Sequence, residues 1–294
     1  MWNLRGTIKW KLTSLQKDSD HPMISVLILT KNEESDLPGC LESVSWSDDV
    51  FVFDSFSTDR TAEISHSYGV NFVQRKFDGY SRQRNAALDE LPFRHDWIFI
   101  LDADERPTPE LAEEMVRVVS APPDGVNGFR MRRRDFLDGT WLKHAQISPY
   151  YIRLTRRGKA RYTREINEVL EVDGGISDLK SPLDHFPFSK GIAHWVSKHN
   201  TYSTMEAEVV ARGLSRKDAS WKTALFAKDF HARRVAQKSI FYRLPARPLI
   251  KWIYMMFVRR AILDGRAGIA YANLQSIYEY FIVLKTRELM RNEP

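Results

Sequence analysis

The chain has 294 residues, 43% of them hydrophobic, and a formal net charge of +6 at pH 7. That composition suits one large buried core, or a core with a smaller appendage. Cys40 is the single cysteine, which excludes an internal disulfide and fits a reducing compartment.

Residues 1–22 read as an extension, because the regular pattern starts at Met23; they carry Arg5, Lys9, Lys11 and Lys17 but no continuous apolar stretch. No secretory signal is expected, and a cytoplasmic location is. Residues 24–29 form an apolar run that suits a strand, and Leu37, Cys40, Leu41 and Val44 follow at helical spacing. Residues 50–53 predict a second strand, and residues 60–68 a helix ending at Gly69, a left-handed cap. A third strand is expected at 70–73, a helix at 81–91 with Ala86, Ala87 and Leu88 inward, and a fourth strand at 97–101. Thr108, Pro109 and Glu110 resemble a helix start. Strand–helix units repeated in this order imply an α/β fold with a doubly wound, mostly parallel sheet over residues 23–125.

Beyond residue 125 the pattern changes. Residues 128–132, 150–155 and 166–172 are separated strand candidates without crossover helices, so 126–189 is expected to be a mixed-strand half of the same domain. Residues 190–213 and 248–289 read as helices of a region spanning 190–294. Between 211 and 260 there are thirteen Lys or Arg against two acids, Asp218 and Asp229. This surplus of +11 leaves −5 for the remainder and points to an anionic surface, membrane or nucleic acid. Residues 249–263 are apolar or aromatic at twelve of fifteen positions, interrupted by Lys251, Arg259 and Arg260. That stretch is shorter than the roughly 20 residues needed to span a bilayer. It suits either an interfacial helix or a buried core helix, and the cationic block before it favours the membrane.

Three predicted strands end in polar loops: Thr30-Lys-Asn-Glu-Glu34, Asp54-Ser-Phe-Ser-Thr-Asp59 and Asp102-Ala-Asp-Glu105. Each loop alone can be read as a helix cap. In a parallel sheet, however, all three lie on one edge, where open α/β sheets hold ligands. Carboxylates spaced as Asp102 and Asp104 are can hold a hard divalent cation whose other ligands are phosphate oxygens.

The pieces Ser25-Val-Leu-Ile-Leu-Thr-Lys-Asn-Glu-Glu34, Val52-Phe-Asp-Ser-Phe-Ser-Thr-Asp-Arg-Thr61, Gln83-Arg-Asn-Ala-Ala87 and Leu101-Asp-Ala-Asp-Glu105 resemble glycosyltransferase family 2 in order and spacing. The nearest-looking branch builds bacterial lipopolysaccharide core and related surface polysaccharides; Tyr151-Ile-Arg-Leu154 and Ile166-Asn-Glu168 extend the resemblance. It implies a GT-A fold and inverting transfer of a sugar from a nucleotide-diphosphate donor, most readily a UDP-sugar, to a lipid-linked glycan. By the same resemblance, Glu33 and Asp54 would accept hydrogen bonds from the base and ribose, and Thr30 would line that pocket. Arg84 or Asn85 would touch the nucleoside or diphosphate. Asp104 would bind Mg²⁺ or Mn²⁺ directly, and Asp102 the ribose or, through water, the metal. Inversion needs a base to take the acceptor's proton. Glu168 is the first choice, because related transferases show His-Glu there, where this chain has Asn167; Asp135 is the second, and Glu165 and Asp173 are further carboxylates in the region.

Arg153, Arg156 and Arg157 are candidates for a diphosphate, or for a solvated strand and turn. His144, His185, His194 and His199 do not form a zinc pattern and suit ordinary polar or helix-surface positions, His185 being a candidate further metal ligand. Two rival functions are a nucleotidyltransferase, against which stands the lack of a glycine-rich phosphate loop, and a nucleic-acid-binding protein using the 211–260 block. No nucleic-acid motif is present, so nucleic acid is not an expected partner. The expected setting is the cytoplasm, peripheral on the inner face of a bacterial membrane.

Overall fold

A computed structural model describes residues 24–148, 150–163, 168–212, 220–226 and 230–292. The extension at 1–22, Glu165 and Asn167 lie outside these residues. The chain divides into two compact units, Met1–Arg133 with Pro149–His185, and Arg134–Ser148 with Phe186–Pro294.

The first unit begins with β1 (Ile24–Thr30), α1 (Leu37–Ser43), β2 (Val50–Asp54), α2 (Thr61–Ser67), β3 (Asn71–Gln74), α3 (Tyr80–Glu90), β4 (Trp97–Asp102), β5 (Glu105–Pro107) and α4 (Pro109–Ser120). Apolar runs in β1, β2 and β4 are buried on both sides, as parallel strands covered by helices require. Alternate residues serve opposite faces. Ile24, Val26 and Ile28 pack with Val50, Val52, Phe99 and Leu101 under α1 and α4. Leu27, Phe51, Phe53, Ile98 and Ile100 pack under Ala86, Ala87 and Leu91 around α3. Thr108 caps α4, its hydroxyl accepting from the Leu111 N–H at 3.2 Å.

There follow β6 (Val126–Leu137), β7 (Thr140–Trp141), β8 (Tyr150–Arg156), β9 (Ala160–Thr163), β10 (Val169–Val172), β11 (Gly175–Asp178) and β12 (Leu183–His185). The sheet order is β3-β2-β1-β4-β8-β6-β12-β5, with β7 and β11 also on β6. Strands β3, β2, β1 and β4 are parallel; β4 to β8 and β8 to β6 are antiparallel. This is the doubly wound, mixed-edged α/β sheet the sequence predicts. Strand β6 is longer than the expected 128–132, and β9 pairs with β10 in a separate ribbon. Asp138 and Gly139 turn β6 into β7 with φ of 48° and 71°, a two-residue hairpin that needs left-handed backbone at both positions.

The second unit is helical: α5 (Gly191–Ala211), α6 (Trp221–Phe226), α7 (Phe230–Phe241), α8 (Arg247–Ile253) and α9 (Gly265–Asn292). Lys285 of α9 donates to the Asn200 carbonyl at 2.6 Å and to Ser203 Oγ at 2.8 Å on α5. The continuous helix expected over 248–289 is broken. After α8 the chain makes a π turn (Tyr254–Val258), with the Arg259 N–H on the Tyr254 carbonyl at 2.8 Å, and a 3₁₀ turn (Ala261–Asp264). Arg260, before the 3₁₀ turn, and Gly265, the first residue of α9, have φ of 60° and 63°, which a continuous right-handed helix does not accommodate.

Candidate active site

Parallel register brings the carboxyl ends of the strands into one row. Thr30 pairs with Asp54, Asp54 with Gln74, and Leu29 with Asp102. Asp54 is fully buried, and its carboxylate accepts from Thr30 Oγ1 at 2.9 Å, the Ser57 N–H at 2.8 Å, Ser57 Oγ at 2.5 Å and Gln74 Nε2 at 3.0 Å. Its acceptor positions are thus met within the protein, and a nucleoside would have to replace one of these donors to reach it. The first two loops are cross-bonded: the Glu33 N–H donates to Thr61 Oγ1 at 2.9 Å, the Thr58 N–H to Asn32 Oδ1 at 2.8 Å and the Glu34 N–H to Asp59 Oδ2 at 3.0 Å. Asn32, which supplies one of these acceptors, and Phe56, whose carbonyl accepts from Lys31 Nζ at 2.6 Å, adopt φ of 55° and 58°, left-handed backbone that is uncommon outside glycine.

Asp102 closes the row from β4. Arg84 Nη2 donates to its Oδ1 at 2.9 Å and Arg153 Nη2 to its Oδ2 at 2.8 Å. The same Arg153 nitrogen reaches Glu105 Oε1 at 2.5 Å, and Glu105 Oε2 accepts the Asp102 N–H at 3.1 Å. Burial opposes the charge of Asp102, but the guanidiniums of Arg84 and Arg153 outweigh it and hold the carboxyl far below the usual carboxylate range. Glu105 goes the other way: burial pushes its carboxyl up, against the pull of Arg153. The next acid, Asp104, has Oδ2 3.2 Å from His185 Nε2. His185 reaches this place because β12 pairs with β5, His185 opposite Glu105. Cys40 lies beneath, its Sγ 4.0 Å from the Asp102 carbonyl; burial and then Glu105 push its thiol up, so it is an inert core residue.

Helix α3 supplies the flank. Arg84 Nε lies 3.4 Å from Glu168 Oε1, and its guanidinium rests on the Tyr162 ring. Its Nη1 is buried without a hydrogen-bond partner among the described residues. Asn85 exchanges bonds with the Tyr162 backbone, Nδ2 to the carbonyl at 2.9 Å and Oδ1 from the N–H at 2.8 Å, so its amide fastens β9 to α3. Gln83 donates to Ser55 Oγ at 3.2 Å, tying the same helix to the β2 loop.

The fold therefore gathers Thr30, Glu33, Asp54, Arg84, Asn85, Asp102, Asp104 and Glu168 in the first unit. Asp135 belongs to the second, where it is buried and its carbonyl accepts the Leu142 N–H at 2.9 Å. Arg153, read from sequence as a diphosphate or surface residue, is a buried ion-pair partner of two site carboxylates. Sequence reasoning gave Glu105 no partner and offered His185 only as a further metal ligand. Their partners lie 48 and 81 positions away, across strand pairings that no local spacing reveals. Among the described residues no group of three or more His, Cys, Asp or Glu could by itself hold a metal ion. Asp104 and His185 offer one carboxylate and one imidazole, a donor pair that fits Mn²⁺ or Mg²⁺ only if a ligand brings further oxygens.

Residues 25–173 match the model of glycosyl transferase family 2. The chain is 31% identical over 195 residues to the lipopolysaccharide core biosynthesis glycosyltransferase LpsC of Rhizobium meliloti, covering 63% of this chain and 70% of that protein. It is 27% identical over 281 residues to the uncharacterized glycosyltransferase RT0209 of Rickettsia typhi, covering 90% and 87%. A solved structure of glucosyl-3-phosphoglycerate synthase from Mycobacterium tuberculosis, in complex with Mn²⁺, UDP and glucosyl-3-phosphoglycerate, aligns with 38% of this chain and 44% of its own at 22% identity and a TM-score of 0.34.

Proposed function

Since the chain belongs to glycosyltransferase family 2, we propose that it transfers a sugar with inversion from a nucleotide-diphosphate donor, first of all a UDP-sugar, to a lipid-linked glycan of a bacterial surface polysaccharide, with a divalent cation. One observation carries the reading: a single guanidinium, Arg84, joins the strand-end carboxylate Asp102 to Glu168, 2.9 Å and 3.4 Å away. The donor side and the candidate base therefore share one positioning group.

On this reading Glu33 faces the base, and Thr30 and Asp54 shape the pocket beneath the nucleoside. Arg84 Nη1, a buried donor without a partner among the described residues, suits an oxygen of the diphosphate. Asp104 and His185 would hold Mg²⁺ or Mn²⁺, which when bound offsets negative charge on the leaving diphosphate. Glu168, partly exposed and held by Arg84, takes the proton of the acceptor hydroxyl. The name of the Rhizobium relative supports a lipopolysaccharide-type acceptor. Among the described residues no helix is long and apolar enough to cross a membrane, so access to such an acceptor implies a peripheral position on the inner membrane face.

Calorimetric titration with a panel of nucleotide-sugars in Mn²⁺, followed by assay of donor hydrolysis, tests the proposal. Saturable binding of one donor with slow hydrolysis is expected. No binding across the panel would overturn the donor assignment.

A further inference from the structure

We propose that residues 249–263 dock this protein on an anionic lipid bilayer, lying in the headgroup plane. The segment belongs to the second unit and the donor-site residues to the first, and its binding to lipid is measurable with no nucleotide-sugar present.

The segment has two faces. Met255, Met256 and Ala261 pack inward with Tyr271 and Ala272 in a core of the second unit, and Trp252 Nε1 fastens it to Asn273 Oδ1 at 2.7 Å. On the other side Leu249, Ile253, Phe257, Val258, Ile262 and Leu263 are exposed, Phe257 and Val258 at 62% and 66%. The π turn holds one more residue per turn than an α-helix, and within it the two methionines are buried while Phe257 and Val258 are not. Six large apolar side chains open to solvent within fifteen residues exceed what scattered surface exposure explains, and mark an interaction face.

Charge decides the occupant. Residues 243–263 carry Arg243, Arg247, Lys251, Arg259 and Arg260 and no acid. Arg247 is internal, its Nε 3.3 Å from Glu279; the others are at least partly exposed. A second copy using this face would bring cations against cations. Anionic headgroups complement them, while the apolar side chains enter the acyl boundary. Exposed Tyr254 and half-buried Trp252 are amphipathic rings suited to that depth.

The test is co-sedimentation of the full chain with vesicles of phosphatidylcholine alone and mixed with phosphatidylglycerol. Binding is expected only with the anionic lipid, falling as salt rises. The double variant Phe257→Ser, Val258→Ser should lose about tenfold or more of this partitioning at an unchanged melting temperature. If it melts early, Leu263→Gln, on the next turn, takes its place with the same expected loss. Undiminished binding of a folded variant, or equal binding to neutral vesicles, overturns the proposal. So does concentration-dependent self-association of the native chain that the variant abolishes, since a second copy would then cover the face.

Discussion

Arg153 is a charged residue held inside this edge by the chain's own carboxylates. It is buried against Asp102 and Glu105, so truncating it strips the fully buried Glu105 of its nearest guanidinium, while Asp102, 33% exposed, keeps Arg84. Arg153→Met should destabilise the protein by roughly 3–5 kcal/mol, read as a lowered urea midpoint. The pH dependence follows from Asp102. Its folded pKa is depressed, so its stabilisation is fully present above the unfolded value of about 3.9 and is lost as pH falls below it. The stability gap between the native protein and Asp102→Asn should accordingly be constant near neutral pH and shrink in acid. Glu168 makes a different prediction. Glu168→Gln keeps shape and hydrogen bonding but cannot accept a proton, so kcat should fall by about 100-fold or more while calorimetric donor affinity stays within a few-fold. Normal turnover would remove Glu168 as the base.

At the scale of elements, the tightest backbone approach lies at the start of α9. A Cβ on Gly268 would stand 2.0 Å from the Ala261 carbonyl oxygen, so the 3₁₀ turn and the helix fit only if that position lacks a side chain. Gly268→Ala should cost about 1–3 kcal/mol or more by overpacking, measurable as a drop in melting temperature. Gly69→Ala, where φ is +68° but nothing lies within 4 Å, should cost only about 1 kcal/mol. These two glycines also mark what was legible. Gly69 ends a local helix signal and was readable; Gly268 answers a contact that no periodicity reports. The buried strands β1, β2 and β4 announced themselves as apolar runs. By contrast β5, β9 and β12 have three or four residues, too few for a period to show. Strand β6 runs on past its expected end at Arg132 through Arg133 and Arg134, whose charges hide the continuation; Arg133 lies over the Tyr151 ring, 4.6 Å from its centre.

Across the whole molecule, charge separates the two activities proposed. The cations concentrate in 211–260, within the helical second unit, while the remainder of the chain is net negative. The three acidic strand ends were legible as a site because parallel topology carries strand ends to one edge. Arg84 was legible as a site residue, but its pairing and that of Arg153 with Asp102 were not, because the two arginines come from α3 and β8, far from β4 in sequence.

The pairing of those arginines has an ionic consequence for the donor. Three described guanidiniums at the edge already face a carboxylate: Arg84 meets Asp102 and Glu168, Arg153 meets Asp102 and Glu105, and Arg133 lies 3.9 Å from Glu105. Among the described residues Arg84 Nη1 and Arg153 Nε are buried without a hydrogen-bond partner, and Lys31 Nζ donates to the Ser55 and Phe56 carbonyls, so the positive charge beside Asp102 is largely engaged by carboxylates already. On the proposed reading, a divalent cation would supply the counter-charge that an anionic donor needs. UDP affinity should fall at least about tenfold when EDTA replaces Mn²⁺, and Mn²⁺ titrated without nucleotide should bind weakly to Asp104 and His185 alone. The cation and the nucleotide would then enter as one neutralised pair, so that free metal concentration, as much as sugar-nucleotide supply, sets how much of the enzyme is loaded.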